Sequence, residues 1–347
     1  QLTLGVGESS TCTINPADGA ATLTLVKPVT NHPGGTATIT EWTLSAAGPT
    51  PISGGSGDAA STDAAVDAGV YTLAEADGPD GYTGGSWICS AGSLAGDQLT
   101  LNVGEVAICT INNDDDPAAL TLVKTVTNDN GGTATATDWT LSATGPTPIS
   151  GVSGDAAITD ATVDAGDYTL AESDGPGGYI AGDWFCTAGA LLGNSLTLAV
   201  GESVTCTIDN DDVAPGLTLR KVVVNDNGGS AINTDWTLSA DGPVSISGVH
   251  GDTSITGADI PAGVYTLSET GGPSNYVASD WVCEGGSLTG DQLTIGSGET
   301  AVCTITNNDS ELLPTIPVPV NNKLSLLLLT LLMFASGLYY RRMVIRR

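Results

Sequence analysis

Basic residues are scarce in this chain. Nine lysines and arginines stand against 39 aspartates and glutamates, a net charge of -30 over 347 residues. Such a chain has little with which to neutralise a phosphate backbone, which argues against nucleic-acid binding by the folded part; the charge supplies solubility and mutual repulsion instead. Histidine occurs only at His32 and His250, and no Ser-His-Asp set, histidine metal cluster or Gly-rich phosphate loop recurs. The chain therefore reads as a non-enzyme, with no cofactor expected. Phenylalanine and methionine occur twice each, and no stretch before residue 320 carries a 3.6-residue apolar period. Helices are thereby excluded from most of the chain. In their place stand 46 glycines among Thr, Ser, Val and Ala, the composition of short, Gly-turned strands.

The chain repeats itself. A shift of 97 residues brings Lys27 onto Lys124 and Lys124 onto Lys221, and the tryptophans at 42, 139 and 236 and at 87, 184 and 281 coincide likewise. Gln1 to Asn15 matches Gln98 to Asn112, so the chain is expected to begin inside the closing strands of a further unit, as a piece of a longer protein. The expected organisation is a truncated unit at 1–18, complete units at 19–116, 117–213 and 214–310, a Pro-rich spacer at 311–323, and a membrane-spanning helix with an Arg-rich tail at 324–347. In the second unit the short alternating runs are Leu120–Val126, Asp138–Ala143, Ala157–Ile158, Asp167–Glu172, Asp183–Thr187, Ser195–Val200 and Ser203–Asn210. About seven such strands predict an antiparallel, Ig-like β-sandwich, so the fold class is all-β: tandem sandwiches plus one C-terminal helix. The short acidic joints, such as Asn113-Asp-Asp-Asp-Pro117, leave little slack, and a semi-rigid string follows.

Six of the seven cysteines fall into pairs of one spacing: Cys89/Cys109, Cys186/Cys206 and Cys283/Cys303, with Cys12 left over. This regularity predicts one disulfide per unit and an oxidising compartment. Parity along the strands places a second set of residues. In Leu120-Thr-Leu-Val-Lys124-Thr-Val126 the lysine shares a face with the leucines. In Tyr168-Thr-Leu-Ala-Glu172 the glutamate shares the face of Tyr168 and Leu170, and in Cys206-Thr-Ile-Asp-Asn210 the asparagine shares that of Cys206 and Ile208. Each unit thus sends a Lys, a Glu and an Asn inward: Lys27, Glu75 and Asn113; Lys124, Glu172 and Asn210; Lys221, Glu269 and Asn307. Burial disfavours the charged form of an amine and of a carboxyl alike. A neutral amine beside a carboxamide is a nucleophile, and a protonated glutamic acid can polarise the carbonyl and shuttle the proton. The product would be a Lys–Asn isopeptide with loss of ammonia. The competing reading is a buried Lys–Glu ion pair or an inward gatekeeper charge. The tryptophans read as core.

These residues carry a resemblance. Leu-x-Lys, then Tyr-Thr-Leu-x-Glu-x-x-x-Pro-x-Gly-Tyr, then Cys-Thr-Ile-x-Asn resembles the prealbumin-like, Cna protein B-type repeats of bacterial pilins and surface adhesins, over about 290 residues. The resemblance implies a prealbumin-like fold, a non-enzymatic cell-surface stalk or adhesin role, and isopeptides formed by the matching lysine, glutamate and asparagine. The chain departs from the pattern in its Trp-x-Cys…Cys pairs, in Pro28 directly after Lys27, and in Pro16 where the other units have Asn. In the last Tyr…Tyr motif Asn275 replaces the usual Gly.

After Asp309 the character changes. Leu324 to Tyr340 is an uncharged apolar run of 17 residues, closed by Arg341 and Arg342. A terminal apolar run of this kind predicts a membrane anchor with the arginines in the cytoplasm and the repeats outside. With its Pro-rich spacer it resembles the PEP-CTERM and IPTL-CTERM sorting signals, which implies an exosortase-like membrane protease as partner, alongside a host or neighbouring-cell surface ligand. The alternatives are a calcium-stiffened adhesin or a carbohydrate-binding surface module. For calcium, Asn128-Asp-Asn-Gly-Gly132, Asn225-Asp-Asn-Gly-Gly229 and the joint aspartates offer oxygen ligands. The same residues are ordinary turn formers, and no metal is required on that reading.

Overall fold

In a computed structural model, the described residues are 3, 5–11, 19–32 and 34–311. Cys12, Pro16 and the C-terminal segment from residue 312 lie outside them, so the expected anchor and sorting signal do too. Among the described residues no helix is long and apolar enough to cross a membrane.

Each complete unit is two β-sheets face to face. In the second unit one sheet runs Ala161–Val163, Ala118–Thr127, Ser203–Asp212, Tyr179–Ala181, with Phe185–Cys186 also on the Ser203–Asp212 strand. The other runs Ile149–Val152, Thr140–Thr144, Gly166–Ser173, Ser195–Leu198, Ala190–Leu192. The alternation that defines these strands also defines the core. Leu120, Leu122, Leu141, Tyr168, Leu170, Leu196, Cys206 and Ile208 are buried between the sheets while their neighbours in sequence face outward. Tyr168 is buried whole because its hydroxyl donates to the Asp164 carbonyl at 2.7 Å.

The structure differs from the sequence reading in three respects. The first and last strands of each unit pair in parallel: Lys124 lies opposite Ile208 and Val126 opposite Asn210. Alternation sets which face a residue takes but says nothing of the direction of a partner strand. The segment Ala157–Ile158, expected as a strand, is a single 3-10 turn, Ala156–Ile158, capped by the Asp155 carboxylate accepting from the Ala157 N–H. Four short strands at 149–152, 161–163, 179–181 and 190–192 escaped the reading, being too brief to show a period.

The first unit is built alike, with one flaw. Its opening strand is split into Ala21–Val26 and Val29–Thr30, and its closing strand into Val106–Thr110 and Asn113–Asp115. The gap falls at Lys27-Pro28. Proline has no N–H to give the ladder, whereas the second and third units carry Thr125 and Val222 there and keep unbroken strands.

Candidate functional site

The parallel pairing of first and last strands brings the three predicted residue types together. Lys124 and Asn210 sit two positions apart on adjacent strands of one sheet, on the same face, and Glu172 reaches them from the facing sheet, where it pairs with Leu141. The Lys124 Nζ lies 2.9 Å from Glu172 Oε2, and the Asn210 amide donates to Glu172 Oε1 at 2.9 Å. The third unit repeats this with Lys221 to Glu269 at 2.5 Å and Asn307 to Glu269 at 2.8 Å. In the first unit Lys27 donates to Glu75 at 2.5 Å, but Asn113 makes no such bond. That is the unit whose strand Pro28 interrupts.

The environment is that of a core. All three lysine side chains are 0% exposed, while the glutamates keep 14–20%. Burial pushes Lys27 and Lys221 below the ordinary lysine value; the hydrogen bond and charge of Glu75 and Glu269 pull the other way without cancelling it. The carboxamide oxygens of Asn113, Asn210 and Asn307 are buried with no hydrogen-bond partner. An orphan acceptor of this kind in every unit is costly and calls for an explanation.

The tryptophans divide into two groups. Trp87 and Trp281 belong to the sandwich core, and Trp184 packs against it, as expected. Trp42, Trp139 and Trp236 are buried outside it, each with the lysine Nζ over its ring at 4.7–4.9 Å. A glycine makes the space: a Cβ on Gly175 would land on the Trp139 indole nitrogen. On its far side Trp139 meets Tyr179 edge to face at 5.4 Å.

Sequence reasoning missed the role of Asp115, Asp212 and Asp309, which parity alone could have placed inward beside the asparagines. The buried Asp212 carboxylate accepts from the Asn130 and Gly132 N–H groups, at 3.0 and 2.5 Å, and pins the loop after the first strand. Asp309 does the same for Asp226, Asn227 and Gly229, and Asp115 for His32 and Gly35. Tyr179 donates to Asn128 and accepts from the Ala134 N–H in the same loop. Of the residues considered as calcium ligands, Asp115 and Asp212 are thus tied to backbone donors. Asp129, Asp211 and Asp212 gather their carboxylates, and Asp212 among them also accepts from the loop N–H groups. In the third unit Asn308 stands in place of Asp211.

The disulfides Cys89–Cys109, Cys186–Cys206 and Cys283–Cys303 are formed, each between residues directly opposite on neighbouring strands. The prealbumin-like fold domain is matched three times in tandem, at residues 18–111, 115–208 and 212–305. The chain belongs to this family. Among solved structures it is similar to the Bacillus anthracis TIE protein, with 14% identity over 84% of this chain and 51% of that one and a TM-score of 0.46. It is also similar to the pilus adhesin SpaC from Lactobacillus rhamnosus GG, with 10% identity over 83% and 44% and a TM-score of 0.29. A third is the major pilin T-13 from Streptococcus pyogenes, with 15% identity over 55% and 97% and a TM-score of 0.27. The chain spans about half the length of the first two. No curated protein matches it.

Proposed function

We propose that this is a non-enzymatic bacterial surface stalk whose units each cross-link themselves through a Lys–Asn isopeptide. The observation that carries the reading is the recurring buried cluster, with a desolvated lysine, a glutamate touching both partners in two units of the three, and an asparagine oxygen left without a donor. The glutamate takes a proton from the lysine ammonium, and the freed amine attacks the asparagine Cγ. The glutamic acid then donates to the orphan oxygen; its carboxylate next takes a proton from the attacking nitrogen and passes it to the departing one, and the carbonyl re-forms as the hydroxyl proton leaves with the ammonia. One C–N bond forms, one breaks, and ammonia leaves. Proximity inside a packed core supplies the rate, so no helper enzyme is needed. The bonds would be Lys27–Asn113, Lys124–Asn210 and Lys221–Asn307, assisted by Glu75, Glu172 and Glu269.

Such a bond suits a stalk. A pull along the chain enters the second unit at Ala118 and leaves at Asp212, through two parallel strands in shear. A cross-link from Lys124 to Asn210 would carry that load directly and leave the strands between them, disulfide included, unstretched. The apolar segment from residue 324 fits an anchor holding the repeats outside the membrane, with an exosortase-like protease as its processing partner and a surface ligand as the target of the stalk.

Intact mass of the full chain, with disulfides reduced, tests the chemistry. One ammonia should be missing per complete unit. A protein at full unmodified mass would reduce the lysine to a buried ion-pair member and remove the mechanical reading with it.

A further inference from the structure

Between units the chain does not simply run on. At the first joint the Asp116 N–H donates to the Gly81 carbonyl at 2.8 Å, and the Asp116 carbonyl accepts from the Gly201 N–H at 2.9 Å. At the second, Val213 repeats both bonds, to Gly178 at 2.9 Å and from Gly298 at 2.6 Å. One linker residue thus bridges a loop of the preceding unit and a turn of the following one. A second contact stands beside it: the Ala262 N–H donates to the Asn130 carbonyl at 2.7 Å, and Gly34 abuts Ala165 at the equivalent place.

The glycines are a condition of this docking. Gly81 and Gly178 hold φ of 80° and 83°, and a Cβ on either would collide with the backbone of the next unit, at Val200 or Ser297. Across the joint, a Cβ on Gly201 would lie 3.0 Å from the Gly81 Cα, and one on Gly298 would lie 2.9 Å from the Gly178 Cα. The third unit keeps the half-joint, Ser310 N–H to the Asn275 carbonyl at 2.8 Å, but has Asn275 where the others have glycine, and Asn275 lacks the positive φ.

We infer that the glycine before the last tyrosine of the motif is a docking residue: it locks each unit to the next through a two-point joint, so that the three units behave as one strut, and Asn275 marks the unit that does not receive another. This inference is independent of the isopeptide reading. It is tested on the full chain with spin labels on genetically encoded ketone residues at the exposed positions Thr169 and Thr266. Double electron–electron resonance should give one narrow distance peak. Gly178→Asn tolerates the positive φ but fills the space, and Val213→Pro removes the bridging N–H; each should broaden the peak while the three disulfides and the circular dichroism stay as they were. A broad distribution in the unaltered chain, or an unchanged peak in both variants, would overturn the inference.

Discussion

Glu172 stands between a lysine and an asparagine amide, and Glu172→Ala is the variant that separates structure from chemistry. It should restore one ammonia to the mass and lower the melting temperature of the second unit. In the chain-entropy view, a cross-link closing a loop of this length contributes about 4.6 kcal/mol. A surface control must be chosen with care, because Asp155 caps a 3-10 turn and its loss would itself cost about 1 kcal/mol. Asp183, exposed, serves better: Asp183→Asn should leave mass and melting where they were. Titration gives a second check. Burial holds Lys221 below 10.5, so between its lowered value and 10.5 the unfolded state binds more protons than the folded one, and stability rises with pH across that window. A lysine locked in an amide cannot titrate. Asn307→Ala, which frees it, should therefore gain stability as pH rises through that window toward 10.5, measured against the Lys221→Met, Asn307→Ala double variant. The unaltered protein should show no such gain in denaturant melts against Lys221→Met.

At the scale of the strand, the break at Lys27-Pro28 is the clearest difference among units of one design. Pro28→Thr copies the second unit, returns one N–H to the ladder, and should raise the stability of the first unit by about 1 kcal/mol. If denaturant titration shows no gain, the missing ladder bond is not what weakens the strand. The loop after the first strand is held at its far end by Asp212 and Tyr179. Strand and loop are thus tied by residues 45 to 82 positions downstream, which makes each unit cooperative from its first strand to its last.

Across the whole molecule, the acidic joints look at first like cation sites. The one gathered carboxylate set among the described residues, Asp129 with Asp211 and Asp212, lies in the second unit. Like charges at Asp129, Asp212 and Asp209, after burial, raise the Asp211 carboxyl above its ordinary value. Asp212 is also bonded to Asn130 and Gly132, and the joints themselves carry backbone hydrogen bonds and glycine contacts. Thermal melts with and without a calcium chelator should coincide; a marked loss of melting temperature on chelation would reinstate the calcium-stiffened alternative.

The sequence by itself determined the period of the array, the sandwich class, the disulfide pairs, and the inward direction of Lys124, Glu172 and Asn210. All of these follow from spacing and from the two-residue alternation of a strand, which are local. Tertiary structure alone decided that the first and last strands run parallel, which is what sets Lys124 beside Asn210. It decided that Trp139 serves the lysine and Trp184 the core, although both read as apolar and inward. It also decided that Gly178 answers to Ser297 of the next unit. A side chain's face is written in its neighbours along the chain, but its partner is written in a strand or a unit that only folding brings near.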